Sequence, residues 1–267
     1  AAFGHSDQST SALSMRSKDD VPFHDFDAAD YNKTFFDRRA ISFTHIPKCG
    51  GDSFTKEFNI TMSRQNCYGD MPRNNWMTAV LVRSPRQHVH SQYGECRYDG
   101  YGIWRTANTS FARTDNLTAD YEAFVKNFYQ LKPWQFGESV CYRCMDPREI
   151  QTRYMSCHDA ANPRANFALP YPPRLNVALV NLMDADFVGV TDFYATTACI
   201  FQYRREGTVP QGCECGSSQP KDHFHDRHGV PSNFSKYPTE HLNEMIDAFT
   251  RLDIIFFVAG VIRFLID

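Results

Sequence analysis

The sequence has no apolar run long enough to cross a bilayer. Its longest, 254–262, covers nine residues and stops at Arg263, against the ~20 that a spanning helix needs. It has no excess of positive charge either. Twenty-eight Lys and Arg stand against 31 Asp and Glu, a net charge of -3, so no general electrostatic case exists for a nucleic-acid partner. There is no internal repeat, and 42% hydrophobic with 22% charged residues excludes disordered, collagen-like and coiled-coil chains. The opening Ala-Ala-Phe-Gly-His-Ser lacks the basic and apolar regions of a secretory leader. The expectation is a trimmed ectodomain, with membrane association only through an anchor that these residues do not include.

Cysteine, by contrast, is plentiful. There are nine: Cys49, Cys67, Cys96, Cys141, Cys144, Cys157, Cys199, Cys213 and Cys215. Secreted domains use cysteines as staples, whereas cytosolic thiols stay reduced. Asn-x-Ser/Thr acceptors stand at Asn32, Asn59, Asn108, Asn116 and Asn233. Sequons and cysteines together point to an oxidising lumen and an N-glycosylated, disulfide-bonded chain.

Residues 1–38 are polar and read as a stem or arm, leaving 39–267 as the folded domain. Within it, short apolar runs at 40–46, 78–82 and 187–190 predict strands. Helical patterns predict helices over 53–58, 87–94, 118–130, 176–183 and 193–203. In the 118–130 segment Tyr121, Phe124, Val125 and Phe128 share one face. The stretch 207–237 is rich in Gly, Pro, Ser and His and reads as a disulfide-pinned loop. Residues 239–266 read as helix in one or two segments, with 254–262 buried. Strands alternating with helices predict a single α/β domain whose central parallel sheet is flanked by helices.

Two segments carry chemistry. In Phe43-Thr-His-Ile-Pro-Lys-Cys-Gly-Gly-Asp-Ser-Phe54 a strand runs into a Gly-Gly turn and a helix start, with Lys48 just before the glycines. Exposed N–H groups, the positive helix end and an ammonium group suit a phosphate-like anion. Lys48 precedes the glycines, so this is not the G-x4-G-K-[ST] loop of nucleoside triphosphatases. In Val80-Leu-Val-Arg-Ser-Pro-Arg-Gln-His-Val-His-Ser-Gln-Tyr93 a strand ends in Arg83 and Pro85 opens a helix. Ser91 follows Arg83 by eight residues, and the two together suit a second phosphate by charge-assisted hydrogen bonds. Parallel α/β folds place ligands at such strand ends.

In order and spacing, these segments resemble the PAPS-dependent sulfotransferase family, PAPS being 3′-phosphoadenosine 5′-phosphosulfate. H-I-P-K-C-G-G-D-S-F is similar to the family's 5′-phosphosulfate loop, and R-S-P-R-Q-H-V-H-S-Q-Y to its 3′-phosphate motif. Asp186-Phe-Val-Gly-Val-Thr-Asp-Phe193 and Leu252-Asp-Ile-Ile-Phe256 resemble stretches of the Golgi carbohydrate branch. The likeness runs from about residue 40 to 265. It implies a P-loop-like sulfotransferase fold, with Lys48, Cys49, Gly50, Gly51, Asp52, Ser53 and Phe54 around the 5′-phosphosulfate. Arg83 and Ser91 would hold the 3′-phosphate, and 3′,5′-ADP would be the product. Departures are Cys49 for the usual Thr, Ser53 for a frequent Thr, Ser84 for a common Asp, His88 for an occasional Arg and Asp192 for Glu. Cys49 stands as an oxidation-sensitive thiol beside the donor, leaving eight cysteines to pair in connectivities that remain open.

In-line sulfuryl transfer places charge on the leaving phosphate oxygen, by analogy with phosphoryl transfer, and Lys48 would stabilise it. No metal is required. Cys213-x-Cys215 with His223, His225 and His228 matches no closed zinc site, and Cys141-x-x-Cys144 lacks the setting of a redox motif. The acceptor's proton needs a base, for which Asp70 and His90 stand first, with His45 and Glu57 behind. The expected reaction is sulfation of a carbohydrate hydroxyl in the Golgi lumen or secretory pathway, with acceptor choice in loops such as 97–116 and 213–237. Sulfation of a small molecule or peptide tyrosine, a nucleotide-phosphate kinase with a degenerate loop, and a silent glycan-binding protein are the alternatives.

Overall fold

A computed structural model describes residues 40–60, 68, 76–107, 111–131, 146–156, 172–213 and 239–266. Thr34–Asp267 forms one compact unit. The expected N-terminal arm, Asp70 and the His223–His228 group lie outside the described residues.

Three strands, β1 (Ala40–Thr44), β2 (Trp76–Val82) and β3 (Phe187–Val190), form a parallel sheet in the order β1-β2-β3. Ala40 pairs with Trp76 and Ala79 with Phe187 in register. Six of the seven β2 residues are buried, as a strand covered on both faces requires. Helices α1 (Gly51–Glu57) and α2 (Pro85–Tyr98) follow β1 and β2. Next come α3 (Gly100–Thr106), α4 (Leu117–Gln130), α5 (Ile150–Ser156) and α6 (Leu175–Asp184). After β3, a 3₁₀ turn at Thr191–Phe193 leads into α7 (Tyr194–Glu206), and α8 (Glu240–Phe249) and α9 (Arg251–Ile266) complete the described elements.

The main core lies around the sheet, with Phe54 of α1 at its centre. The Phe54 ring sits 4.7 Å from Phe201, 4.9 Å from Phe58 and 5.4 Å from Phe43. Full burial of one such ring contributes about 1.5–3 kcal/mol, so Phe54 anchors the helix that begins at the glycines. A second core joins α2, α4 and α8 through Tyr93, Phe124, Phe128, Leu242 and Ile246. Its predicted face on α4 is buried as expected.

Some expectations change. Residues within 97–116, read as loop, include α3, which lies against α2. A Cβ on Gly102 would come 2.2 Å from the Glu95 carbonyl oxygen, so only glycine permits this approach. The 193–203 helix instead starts at Tyr194 and reaches Glu206. The apolar run 254–262 is helical but not wholly buried. Asp253, Phe256, Gly260 and Phe264 face inward, while Ile255, Val258, Ile262 and Leu265 are exposed. Among the described residues no helix is long and apolar enough to cross a membrane. A disulfide joins Cys199 of α7 to Cys213.

Candidate anion site at the strand ends

Because the sheet is parallel, all three strands deliver their carboxyl ends to one edge. Four hydrogen bonds between three pairs of residues close these ends into a ring. Arg83, after β2, donates from Nη1 to the Lys48 carbonyl at 2.9 Å. Ser84 donates its N–H and hydroxyl to Asp192, after β3, at 2.8 and 2.6 Å. Thr191 donates its hydroxyl to the Cys49 carbonyl at 2.7 Å. Ser84 and Asp192, two departures from the sulfotransferase pattern, are therefore each other's partners.

The loop between β1 and α1 turns through two left-handed residues, Lys48 at φ 64° and Gly50 at φ 78°. Holding a non-glycine residue there costs about 1–3 kcal/mol, so the surrounding contacts must impose it. One is the Arg83 bond, and another is His88 of α2, whose Nε2–H donates to the Pro47 carbonyl at 2.6 Å. Gly51 opens α1 against His45. A Cβ there would lie 2.3 Å from the His45 ring, so the second glycine is what lets the histidine pack beneath the turn. The first-turn N–H groups of α1 have no intrahelical acceptors.

Cys49 is free and buried. Its thiol donates to Gln151 Oε1 at 3.6 Å and lies 3.8 Å from His88 Nε2. Burial pushes the thiol pKa up, more than the Arg83 charge lowers it. Burial also holds His88 down to about 3. Burial thus disfavours the thiolate on which oxidation depends, against the expectation of an oxidation-sensitive thiol.

Arg83 is unusual in its lack of an ion-pair partner. No carboxylate among the described residues lies within ion-pair distance of it, and its buried Nε donates to nothing. Desolvation lowers its pKa, opposed by Cys49 and Asp192, yet an arginine remains charged. The Ser91 hydroxyl on α2 makes no hydrogen bond to any other described residue. Lys48 differs: its Nζ is 2.9 Å from Glu95 Oε2, the two side chains being 9% and 12% exposed.

The remaining expected residues separate. Ser53 is buried at the start of α1, and Asp52 stands in the helix's first turn. Phe54 lies in the core, as an anchor. His45 is buried, with Nε2 3.8 Å from Asp52 Oδ1 and Nδ1 without a partner. Desolvation lowers its pKa against the pull of Asp52. His90 packs edge-on to Tyr121 of α4, ring centroids 5.4 Å apart, while His88 faces the loop. Two positions are ~200° around a helix, so the two histidines point to opposite sides. Glu57 ends α1 and accepts from the Tyr194 hydroxyl at 3.3 Å.

Three residues at this corner escaped the sequence reading. Glu95 pairs with Lys48. Gln151 bridges the end of β2, accepting from the Arg83 N–H at 3.0 Å and donating to the Arg83 carbonyl at 2.8 Å. Asp253 in turn holds α5, accepting from the N–H groups of Gln151 at 3.2 Å and Thr152 at 2.8 Å. No family model, curated protein or solved structure matches the chain.

Proposed function

We propose that this chain is a sulfotransferase, moving the sulfuryl group of PAPS to a carbohydrate hydroxyl by in-line displacement on a P-loop-like sulfotransferase scaffold. The observation that carries the reading is Arg83: a charged, desolvated guanidinium at the end of the central strand, with no anionic partner and an unused Nε. A partly buried cation whose Nε is fully enclosed is costly unless an anion completes it. The 3′-phosphate of the donor fits that requirement, with the free Ser91 hydroxyl as a further donor. The N–H groups of Gly50, Gly51, Asp52 and Ser53 would receive the 5′-phosphosulfate. Asp52 would act through its backbone, since its carboxylate repels an anion.

The donor supplies an activated S–O bond. Lys48 then offsets charge on the phosphate oxygen that departs. For the acceptor, the support is α3, where Tyr101 is 50% and Trp104 70% exposed. Their ring centroids lie 6.3 Å apart, with Arg105 over both. Exposed aromatic faces suit the apolar face of a sugar ring, and Arg105 suits an acidic saccharide. The Cys199–Cys213 disulfide accords with the Golgi lumen or another oxidising compartment.

One observation favours a silent glycan-binding protein with the same fold: the Lys48 ammonium is already engaged by Glu95. Thermal unfolding with nucleotides and a transfer assay decide between them. Under the proposal 3′,5′-ADP raises the midpoint strongly, AMP hardly, and ATP no more than AMP. Labelled sulfate then passes from PAPS to glycans, and Lys48→Ala abolishes the transfer. An ATP-only shift sinks the donor assignment, and donor binding without any transfer supports the silent protein.

A further inference from the structure

We propose that Glu95 is a latch on Lys48: its carboxylate holds the ammonium until the 5′-phosphosulfate of the donor displaces it. This rests on the donor-binding reading above, and it turns the ion pair from an obstacle into a part of the site.

The geometry allows an exchange and opposes a simple release. Lys48 Nζ and Glu95 Oε2 are 2.9 Å apart and both side chains are largely buried. Removing one member of such a pair leaves an uncompensated charge in a poorly solvated place. Replacing one anion by another leaves the lysine compensated throughout. An uncharged nucleoside therefore cannot open the latch.

Placement on α2 ties the latch to the donor's other end. His88, Ser91 and Glu95 follow at intervals of three and four, so they share one face. His88 holds the loop through Pro47, and Ser91 stands where the 3′-phosphate is proposed. Arg83 precedes the helix and bonds the carbonyl of Lys48 itself. The Glu95 backbone is fixed by the close approach of α3 at Gly102, which leaves the exchange to side-chain rotation. A donor held by Arg83 and Ser91 thus presents its 5′ anion to a lysine that one helix turn away is clasped by a competing carboxylate.

The latch subtracts from donor affinity, and that subtraction is measurable. In Glu95→Gln the competing charge is gone, and 3′,5′-ADP binds about tenfold tighter by calorimetry, within the range of coupling seen for close charge pairs. In a Lys48→Gln background the same substitution changes affinity by less than about twofold, because there is no ammonium to contest. A merely structural Glu95 gives the opposite sign: weaker binding, in both backgrounds. If Glu95→Gln does not fold, the wild-type chain serves. The Lys48 ammonium resonance shifts on addition of 3′,5′-ADP and stays put with adenosine. Failure of the wild type to bind 3′,5′-ADP overturns the donor reading itself. Binding that leaves the Lys48 resonance unmoved, or that weakens in Glu95→Gln, overturns the latch and leaves the donor reading standing.

Discussion

Gln151→Ala is the substitution that most directly tests how the corner is built. The side chain is fully buried and acts as a strand substitute. Where β2 ends, it accepts from the Arg83 N–H at 3.0 Å and donates to the Arg83 carbonyl at 2.8 Å. Truncation orphans both backbone groups, at about 1–2 kcal/mol each where water reaches poorly. It also removes the acceptor of the Cys49 thiol and leaves a small cavity. The sum is a loss of about 2–4 kcal/mol, a large part of the ~5–15 kcal/mol available to a domain. Urea unfolding followed by fluorescence and circular dichroism together measures it. Gln151→Glu separates causes, since it keeps the shape and the acceptor but presents a carboxylate oxygen to the Arg83 carbonyl. Destabilisation of both variants implicates the hydrogen bonds, and a near-normal Glu variant implicates packing alone. A loss below about 1 kcal/mol for Gln151→Ala refutes the account of Gln151 as the continuation of the sheet.

Three further outcomes follow from the structure. Burial, then the neighbouring Asp253 charge, raises Glu149 from 4.5 to about 8, while Asp253 is raised first by burial, with Arg153 opposing both. The folded chain therefore holds protons that the unfolded chain has released, and stability falls as pH rises from about 4.5 to 8, by up to ~1.4 kcal/mol per pH unit for one proton; denaturation midpoints across that range check it, and Glu149→Gln should flatten the slope. Cys49 should resist a thiol reagent in the native protein at pH 8 and react fully once unfolded, so fast native labelling contradicts the buried, neutral Cys49–His88 arrangement. Trp104→Ala should raise the glycan KM roughly tenfold while leaving 3′,5′-ADP affinity within twofold, since an exposed ring contributes to binding and little to the fold; an unchanged KM removes α3 from the acceptor surface.

The sheet and its loops were legible because their signals are local. Apolar runs ending in Lys-Cys-Gly-Gly and Arg-Ser-Pro mark strand, turn and helix without knowledge of anything distant. β3 was placed to the residue. Helices α3 and α5 were hidden for different reasons. Gly-Tyr-Gly-Ile-Trp-Arg-Thr carries two glycines that argue for loop, yet Gly102 is there to admit the α2 backbone. In α5 every residue from Ile150 to Ser156 is buried, so Gln151, Thr152 and Arg153 interrupt any apolar period. Glu95 lies one residue past the helix read over 87–94, and nothing local announces a partner 47 positions earlier. In α9 an almost uninterrupted apolar run concealed that only one stripe of it meets the core.

The carboxylates that join α5 to α9 have a consequence for when the protein becomes competent. Asp253 receives the first N–H groups of α5, and Glu149 receives those of Leu252 and Asp253 at 3.1 and 2.8 Å. The partners stand 101 to 104 positions apart. Neither helix start is satisfied before the other has been made. At about 5–20 residues per second of synthesis, the segment carrying Gln151 waits several seconds for α9 to emerge. Through Gln151 the wait extends to Arg83, so the anion corner is completed only once α9 has emerged, later than the sheet that supports it.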